Sequence, residues 1–259
     1  MTQSIASPVS DVSATDLTEI RNAVADYCEG YYTRNQEQTH RAYHPECLKR
    51  VFEETEHGVF YLVVQTRASM VDVAGIEESR VDDPSYEITI DEVSQDMASV
   101  RLYSNDWVDF LHVVKARGEW KLLHAAYDEL PEPGVEPAKS DRDAIHAAAL
   151  DYVEAWYQGD AQRHALAYHD ECVKRAFRDD GGLAVTSGQH MVDMCATGDT
   201  VLPDATWEIE IDDIVGTVAS VRVHSTYWVD FLHIAKARGA WRLFHVTYHP
   251  TEAWLAHMR

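Results

Sequence analysis

The feature that most constrains this chain is that much of it is written twice. Residues 107–127 read WVDFLHVVKARGEWKLLHAAY and residues 228–248 read WVDFLHIAKARGAWRLFHVTY, with 14 identities in 21 positions at an offset of 228 − 107 = 121. A second block pairs Ala42-Tyr43-His44-Pro45-Glu46-Cys47 with Ala167-Tyr168-His169-Asp170-Glu171-Cys172 at an offset of 125. The first copy therefore carries four extra residues between the blocks, expected around His57–Gln65. A 259-residue chain with this internal likeness is expected to fold as two ordinary domains rather than one large one. Between them lies Pro131-Glu132-Pro133-Gly134-Val135-Glu136-Pro137, whose three prolines oppose helix and inner strand. The division that follows is a flexible tail over 1–15, copy 1 over 16–130, a linker over 131–139 and copy 2 over 140–259.

Each copy repeats one order of elements. Asp16-Leu17-Thr18-Glu19 offers a capping-box-like start, followed by apolar residues at helical spacing at Ile20, Val24, Tyr27 and Tyr31. Ser140 and Asp143 open the equivalent helix, with Ile145, Ala149, Tyr152 and Trp156 on one face. A shorter helix is predicted over Gln36–Tyr43 and again over Ala161–Tyr168. Strands follow: Tyr86, Ile88 and Ile90 alternate with Glu87, Thr89 and Asp91, as Trp207, Ile209 and Ile211 do with Glu208, Glu210 and Asp212. The last two strands form a hairpin turned at Arg117-Gly118 and at Arg238-Gly239. In the WVDFLH strand both alternating sets are largely apolar, so both faces are expected to be covered. The fold class is α+β, with helices on a strongly curved, mostly antiparallel sheet in each of two cone-shaped domains, whose sheets are expected to pack as an intramolecular pseudo-dimer.

Composition narrows the partners. Acidic residues outnumber basic ones 44 to 22, a formal charge of −22 that repels phosphate backbones and argues against nucleic acid. No stretch reaches the length of a bilayer-spanning helix, and the N-terminal residues lack the pattern of a signal peptide, so a cytoplasmic protein is expected. Cys28, Cys47, Cys172 and Cys195 show no metal-binding or framework spacing and read as buried thiols. No Gly-rich phosphate loop, nucleophile elbow or Cys–His cluster is present.

The element order, the WVDFLH…KARGxW hairpin and the His-Pro-Glu corner resemble the nuclear transport factor 2-like superfamily, nearest its SnoaL-like and lumazine-binding families. The likeness covers roughly 16–130 and 140–250 and implies an open cone of helices and bent sheet. It implies a pocket rather than one activity, since that superfamily includes cyclases, isomerases, dehydratases, epoxide hydrolases and non-catalytic binders. SnoaL-like cyclases carry an aspartate on the penultimate strand, the position of Asp109 and Asp230. Tandem members that open epoxides use carboxylate pairs; this chain has His44 and His169 at the corner instead, which argues against that reaction.

A carboxylate in a strand covered on both sides needs compensation. With the turn centred on Arg117-Gly118, Asp109 is expected opposite Ala126 and Leu111 opposite His124, making Asp109 and His124 neighbours on one face. Copy 2 repeats this with Asp230, Thr247 and His245. The catalytic candidates are thus Asp109, His124 and His44, and Asp230, His245 and His169, the corner histidines closing on the cavity from the opposite wall. An Asp–His pair in an apolar cavity suits proton transfer beside a carbonyl. The same pair also reads as a tie between helix and sheet, and the same residues make a two-His-one-carboxylate metal set. His112 and His233 fall on the other face of their strand. His190 and His249 occur only in copy 2, either marking that cavity as the active one or standing as surface histidines. Tyr27, Tyr31, Trp107, Tyr152, Trp156, His190, Trp228 and Thr247 are the substrate-binding candidates. Lys49-Arg50 and Lys174-Arg175 follow the corner, the arginines as gates for an anionic substrate or as surface ion pairs.

The expected function is acid–base catalysis without cofactor, of cyclase, isomerase or dehydratase type, on a hydrophobic carbonyl compound. The alternatives are a non-catalytic binding or scaffold protein and a metal-dependent enzyme. The expected partner is a small molecule, with neither nucleic acid nor membrane, and further homo-oligomerisation is compatible with the pattern.

Overall fold

The computed structural model describes residues 12–76, 84–132, 134–177 and 182–258. The tail expected over 1–15 lies outside them as far as residue 11, as does Pro133 of the linker. No helix among the described residues is long and apolar enough to cross a membrane.

Copy 1 runs α1 (Ala14–Tyr32), α2 (Gln36–Ala42), β1 (Tyr43–Glu54), β2 (Phe60–Thr66), α3 (Arg67–Val73), β3 (Glu87–Ser94), β4 (Met97–Tyr103), β5 (Trp107–Ala116) and β6 (Glu119–Glu129). Its six strands form one sheet in the order β2-β1-β6-β5-β4-β3, antiparallel except where β1 runs parallel to β6. Copy 2 repeats it with α4 (Lys139–Gln158), α5 (Ala161–Ala167), β7 (Tyr168–Phe177), β8 (Leu183–Ser187), α6 (Gly188–Ala196), β9 (Trp207–Val215), β10 (Val218–Ser225), β11 (Trp228–Ala237) and β12 (Ala240–Pro250). The second sheet is ordered β8-β7-β12-β11-β10-β9, and a last helix, α7 (Glu252–His257), follows it.

The long helices begin earlier than their sequence signals suggest. Ser13 caps α1, its Oγ accepting from the Asp16 backbone N–H at 3.0 Å, while α4 starts after Ala138 with no side-chain cap. Asp16 serves a longer-range contact instead: its Oδ1 accepts from Lys115 Nζ at 2.7 Å and from Trp120 Nε1 at 2.8 Å. Asp141 does the same for Lys236 and Trp241. The repeated KARGxW segment therefore pins the start of a helix to a hairpin. These bonds hold the Asp16 carboxyl down at about 2.

The four additional residues of copy 1 lengthen one hairpin. Phe52 pairs with Leu62 where Phe177 pairs with Leu183, and beyond that point copy 1 adds two pairs, Glu53 with Tyr61 and Glu54 with Phe60, that have no counterpart among the described residues. Arg117 and Gly118, with φ of 53° and 85°, make the expected tight turn between β5 and β6, and Arg238 and Gly239 repeat it at 52° and 79°.

Beyond that turn the register departs from expectation. Near it Val113 pairs with Leu122, but the next pair is His112 with His124, which leaves Leu123 without an opposite number. In copy 2 Ile234 pairs with Leu243 and His233 with His245, leaving Phe244 as the extra residue. Such a bulge bends the strand and, because side chains alternate with period two, exchanges the faces of everything beyond it. Asp109 therefore stands opposite Tyr127 rather than Ala126, and Asp230 opposite Tyr248 rather than Thr247.

Within copy 1 the core joins Ile20, Val24 and Tyr27 of α1 to Val100, Leu111 and Leu122 of the sheet. Copy 2 packs Ile145, Ala149 and Tyr152 of α4 on Val221, Leu232 and Leu243 in the same way. Every residue from Val108 to Val114 is buried, as is every one from Val229 to Ala235, so both faces of β5 and β11 are covered.

Candidate functional site

Each copy holds a cavity between its helices and the inner face of its sheet, of about 150 Å³ in copy 1 and about 110 Å³ in copy 2. At the floor of the first lies a triad the sequence reading did not assemble. Lys49 Nζ donates to Asp109 Oδ1 at 2.7 Å and to Tyr27 Oη at 2.5 Å, and the Tyr27 hydroxyl donates to the same Oδ1 at 2.7 Å. Copy 2 repeats it: Lys174 Nζ donates to Asp230 Oδ1 at 2.8 Å and to the Tyr152 hydroxyl, which donates to Asp230 Oδ1 at 2.5 Å. The Lys49 and Asp109 side chains are 10% and 4% exposed, so the ion pair is shielded from bulk water.

Three elements bring the triad together. Tyr27 comes from the buried face of α1, Lys49 from β1 and Asp109 from β5. Lys49 sits beside Ala125 in the parallel β1–β6 register, and its ammonium lies 4.2 Å from the centre of the Tyr127 ring. In copy 2 Lys174 stands 4.0 Å from the Tyr248 ring. The aromatic face supplements the carboxylate in holding a cation out of water. Burial, with Asp109 as the next contributor, pushes the Tyr27 hydroxyl well above its ordinary range, and Tyr152 responds in the same way to burial and Asp230. Both phenols therefore stay protonated and hold their carboxylates in place. Asp109 Oδ2 takes none of the triad's hydrogen bonds. The Cys28 thiol on the cavity wall is pushed up to about 12 by burial, so it is no thiolate nucleophile at neutral pH.

Six of the eight substrate-binding candidates line the cavities: Tyr27, Tyr31 and Trp107 in copy 1, and Tyr152, Trp156 and Trp228 in copy 2. His190 instead lies exposed on α6, and Thr247 is buried opposite Phe231 on the other face of the hairpin.

The histidines are not where the expected Asp–His pairing needs them. The bulge turns His124 away from Asp109, and its Nδ1 lies 3.1 Å from Nδ1 of His112 on the opposite face. His245 meets His233 in the same way at 3.2 Å. His44 and His169 lie in strands rather than at helix ends, each accepting through Nδ1 from a backbone N–H, of Glu46 and Glu171 respectively at 3.1 Å. Neither lines either of these two cavities. The sets His44, His124, Asp109 and His169, His245, Asp230 are therefore not assembled, either as acid–base groups or as metal ligands. His249 is half-buried, its Nδ1 2.8 Å from the Pro250 carbonyl. Arg50 and Arg175 are buried rather than standing as surface gates.

Lys49 and Lys174 are the residues that sequence reasoning missed. Their signal was present in the shared Cys-x-Lys-Arg at offset 125, which places a lysine at the same point of each copy. Another is His164 of α5, stacked 5.8 Å from the Tyr152 ring and 2.9 Å from the Tyr168 hydroxyl. Burial, then Lys174, lowers it to about 4, so it is neutral at pH 7.

A profile of the family described as "Putative lumazine-binding" matches residues 15–128 and again 140–249. The chain belongs to that family. It carries the family's domain twice and has the nuclear transport factor 2-like fold in each copy. Comparison with curated proteins returns no relative. Among solved structures, an NTF2-like protein of unknown function from Shewanella baltica is 24% identical, covering 45% of this chain and 98% of its own, with a TM-score of 0.42. A ketosteroid isomerase-like protein from Erwinia carotovora atroseptica is 17% identical over 44% of this chain and 98% of its own, with a TM-score of 0.36. A protein described as a "Putative Scytalone Dehydratase", from Novosphingobium aromaticivorans, is 16% identical over 43% of this chain and 85% of its own, with a TM-score of 0.34.

Proposed function

We propose that each copy takes a small, flat carbonyl compound into its cavity and moves a proton on it without a cofactor, as an isomerase, dehydratase or cyclase does. The observation that carries this reading is the Asp–Lys–Tyr triad at the floor of an aromatic cavity, built identically twice. Asp109 Oδ2 would take a proton from the carbon beside the carbonyl, the electron pair moving onto the carbonyl oxygen. Lys49, with two N–H groups engaged and one uncommitted to an oxygen, would stabilise the enolate oxygen electrostatically. Returning the proton at another carbon isomerises the compound; collapse of the enolate with expulsion of a β-hydroxide, which takes the proton held by Asp109 and leaves as water, dehydrates it. Tyr27 is a positioning residue, since its proton is committed to Asp109. A cavity of about 150 Å³ matches the engineered apolar cavity that takes one benzene, so the buried part of the ligand is about one ring.

The test is deuterium uptake at the α-carbon of 2-tetralone in D2O, followed by proton NMR. The wild-type chain should accelerate it, and the Asp109→Asn/Asp230→Asn double variant should lose about a hundredfold or more of that acceleration. Equal rates for the two proteins, or no acceleration by the wild type, removes the catalytic reading.

One observation favours binding alone. Asp109 Oδ1 already accepts from two donors, so the ion pair is internally satisfied and suited to anchoring a ligand with a donor and an acceptor on one edge. The family description names lumazine, a flat bicyclic heterocycle of that kind. Saturable lumazine binding by calorimetry, without α-proton exchange, would select this reading.

A further inference from the structure

We infer that the two cavities have diverged in what they admit: copy 1 takes a flat ligand bearing hydrogen-bonding groups along its edge, and copy 2 a more apolar aromatic one. This rests on the reading that both cavities are ligand sites. The floors are the same, but the walls differ where a ligand's far edge would lie. Gln65 stands opposite Lys49 across β1–β2, and Thr186 stands opposite Lys174 across β7–β8. Thr186 spends its hydroxyl on the Lys174 carbonyl at 3.2 Å, whereas the Gln65 amide has no hydrogen-bond partner among the described residues and lines the cavity. Tyr31 becomes Trp156, which removes a hydroxyl and adds ring area, and Val73 becomes Met194.

The rim repeats the contrast. In copy 1 the Tyr32 hydroxyl donates to Asp106 Oδ2 at 3.3 Å, a wet carboxylate beside the cavity. The residue of copy 2 that corresponds to Asp106 is Tyr227, whose ring lies 6.3 Å from Tyr157 and 6.1 Å from Trp254. Trp254 in turn lies 4.8 Å from the cavity residue Trp228. It is carried by α7, which has no counterpart after β6, where the next helix is α4. Copy 2 therefore extends an aromatic surface outward where copy 1 presents amide, hydroxyl and carboxylate groups.

Methionines give each cavity its own reporter: Met70 lines the first, Met191 and Met194 the second. The experiment is a titration of the full chain, labelled with 13C at its methionine methyls, with lumazine and separately with 2-naphthol. Lumazine should move Met70 with a midpoint about tenfold or more below that at Met191, and 2-naphthol should show the reverse order, the difference expected for one hydrogen bond gained or left unmade. Exchanging Gln65→Thr with Thr186→Gln should shrink the lumazine preference. Equal midpoints for each probe in both cavities, or preferences of the opposite sign, overturn the divergence while leaving ligand binding intact. No response of these methyls to either probe overturns the binding reading and the divergence with it.

Discussion

The two faces of the β5–β6 hairpin bury polar pairs in different ways. On the inner face Asp109 is held by Lys49 and Tyr27, an ion pair whose three residues line a cavity. On the other face His112 meets His124, their Nδ1 atoms 3.1 Å apart, and neither lines the two cavities described above. The β11–β12 hairpin repeats both arrangements. A buried charge is tolerable where its partner is charged and hydrogen-bonded, and a buried histidine where it stays neutral. The comparison teaches that within the hairpin the inner face holds an ion pair beside a cavity and the other face a histidine pair, while the adjacent strand carries charge on that second face, Arg101 against Asp91 at 2.7 Å.

The largest way to break this division is to insert one alanine between His124 and Ala125. With the pairs up to His112–His124 kept, the strand beyond them slips by one residue, placing Ala126 opposite Asp109 and turning Tyr127 away from the cavity. Copy 1 should lose most of a domain's stability, which is of the order of 5–15 kcal/mol, read as loss of its unfolding transition in urea. Retention of a two-copy transition would mean that the register beyond the bulge does not set the faces.

A smaller effect is expected from Lys49→Met, which leaves Asp109 buried with Tyr27 as its one remaining triad partner. Chemical denaturation should show about 3–5 kcal/mol lost, with Lys49→Met/Asp109→Leu recovering much of it because both charges are then gone. If the double variant is no more stable than the single, the pair is not what strains the site.

The smallest effect per step is in pH, and it tests the outer face. Burial lowers His233 to about 3 from an ordinary 6.5, so the folded chain resists a proton that the unfolded chain accepts. Stability from this group is fully present above about 6.5 and falls as pH drops toward 3, by about 1.4 kcal/mol per unit. His164, lowered to about 4, adds a second slope of the same sign over a narrower range. His233→Gln should flatten the profile between pH 6 and pH 4 by one proton, and an unchanged slope would show that His233 does not titrate on unfolding.

Much of the fold was legible because its signals are local. The Arg-Gly turns, the spacing of Ile20, Val24 and Tyr27, and the doubly apolar strand through Asp109 each reflect a few neighbouring residues. The aspartates were found for the same reason, a charge in a strand with no wet face. Their partner was not. Leu123 and Phe244 look like any apolar strand residue, and nothing adjacent shows that they bulge, so each assumed register paired the aspartate with the wrong residue. Lys49 and Lys174 were given no role, because nothing beside them marks them as buried: their burial depends on Tyr27 and Asp109, 22 and 60 residues away in copy 1.

The sequence by itself determined that there are two copies, how each orders its helices and strands, and that each carries an aspartate in a strand covered on both faces. Only the tertiary structure decided that lysine and tyrosine, not histidine, meet that carboxylate. The reason is geometric: one unpaired residue reverses which side chains face the cavity, and that reversal is set by how the whole sheet bends around its helices rather than by the residues on either side of it.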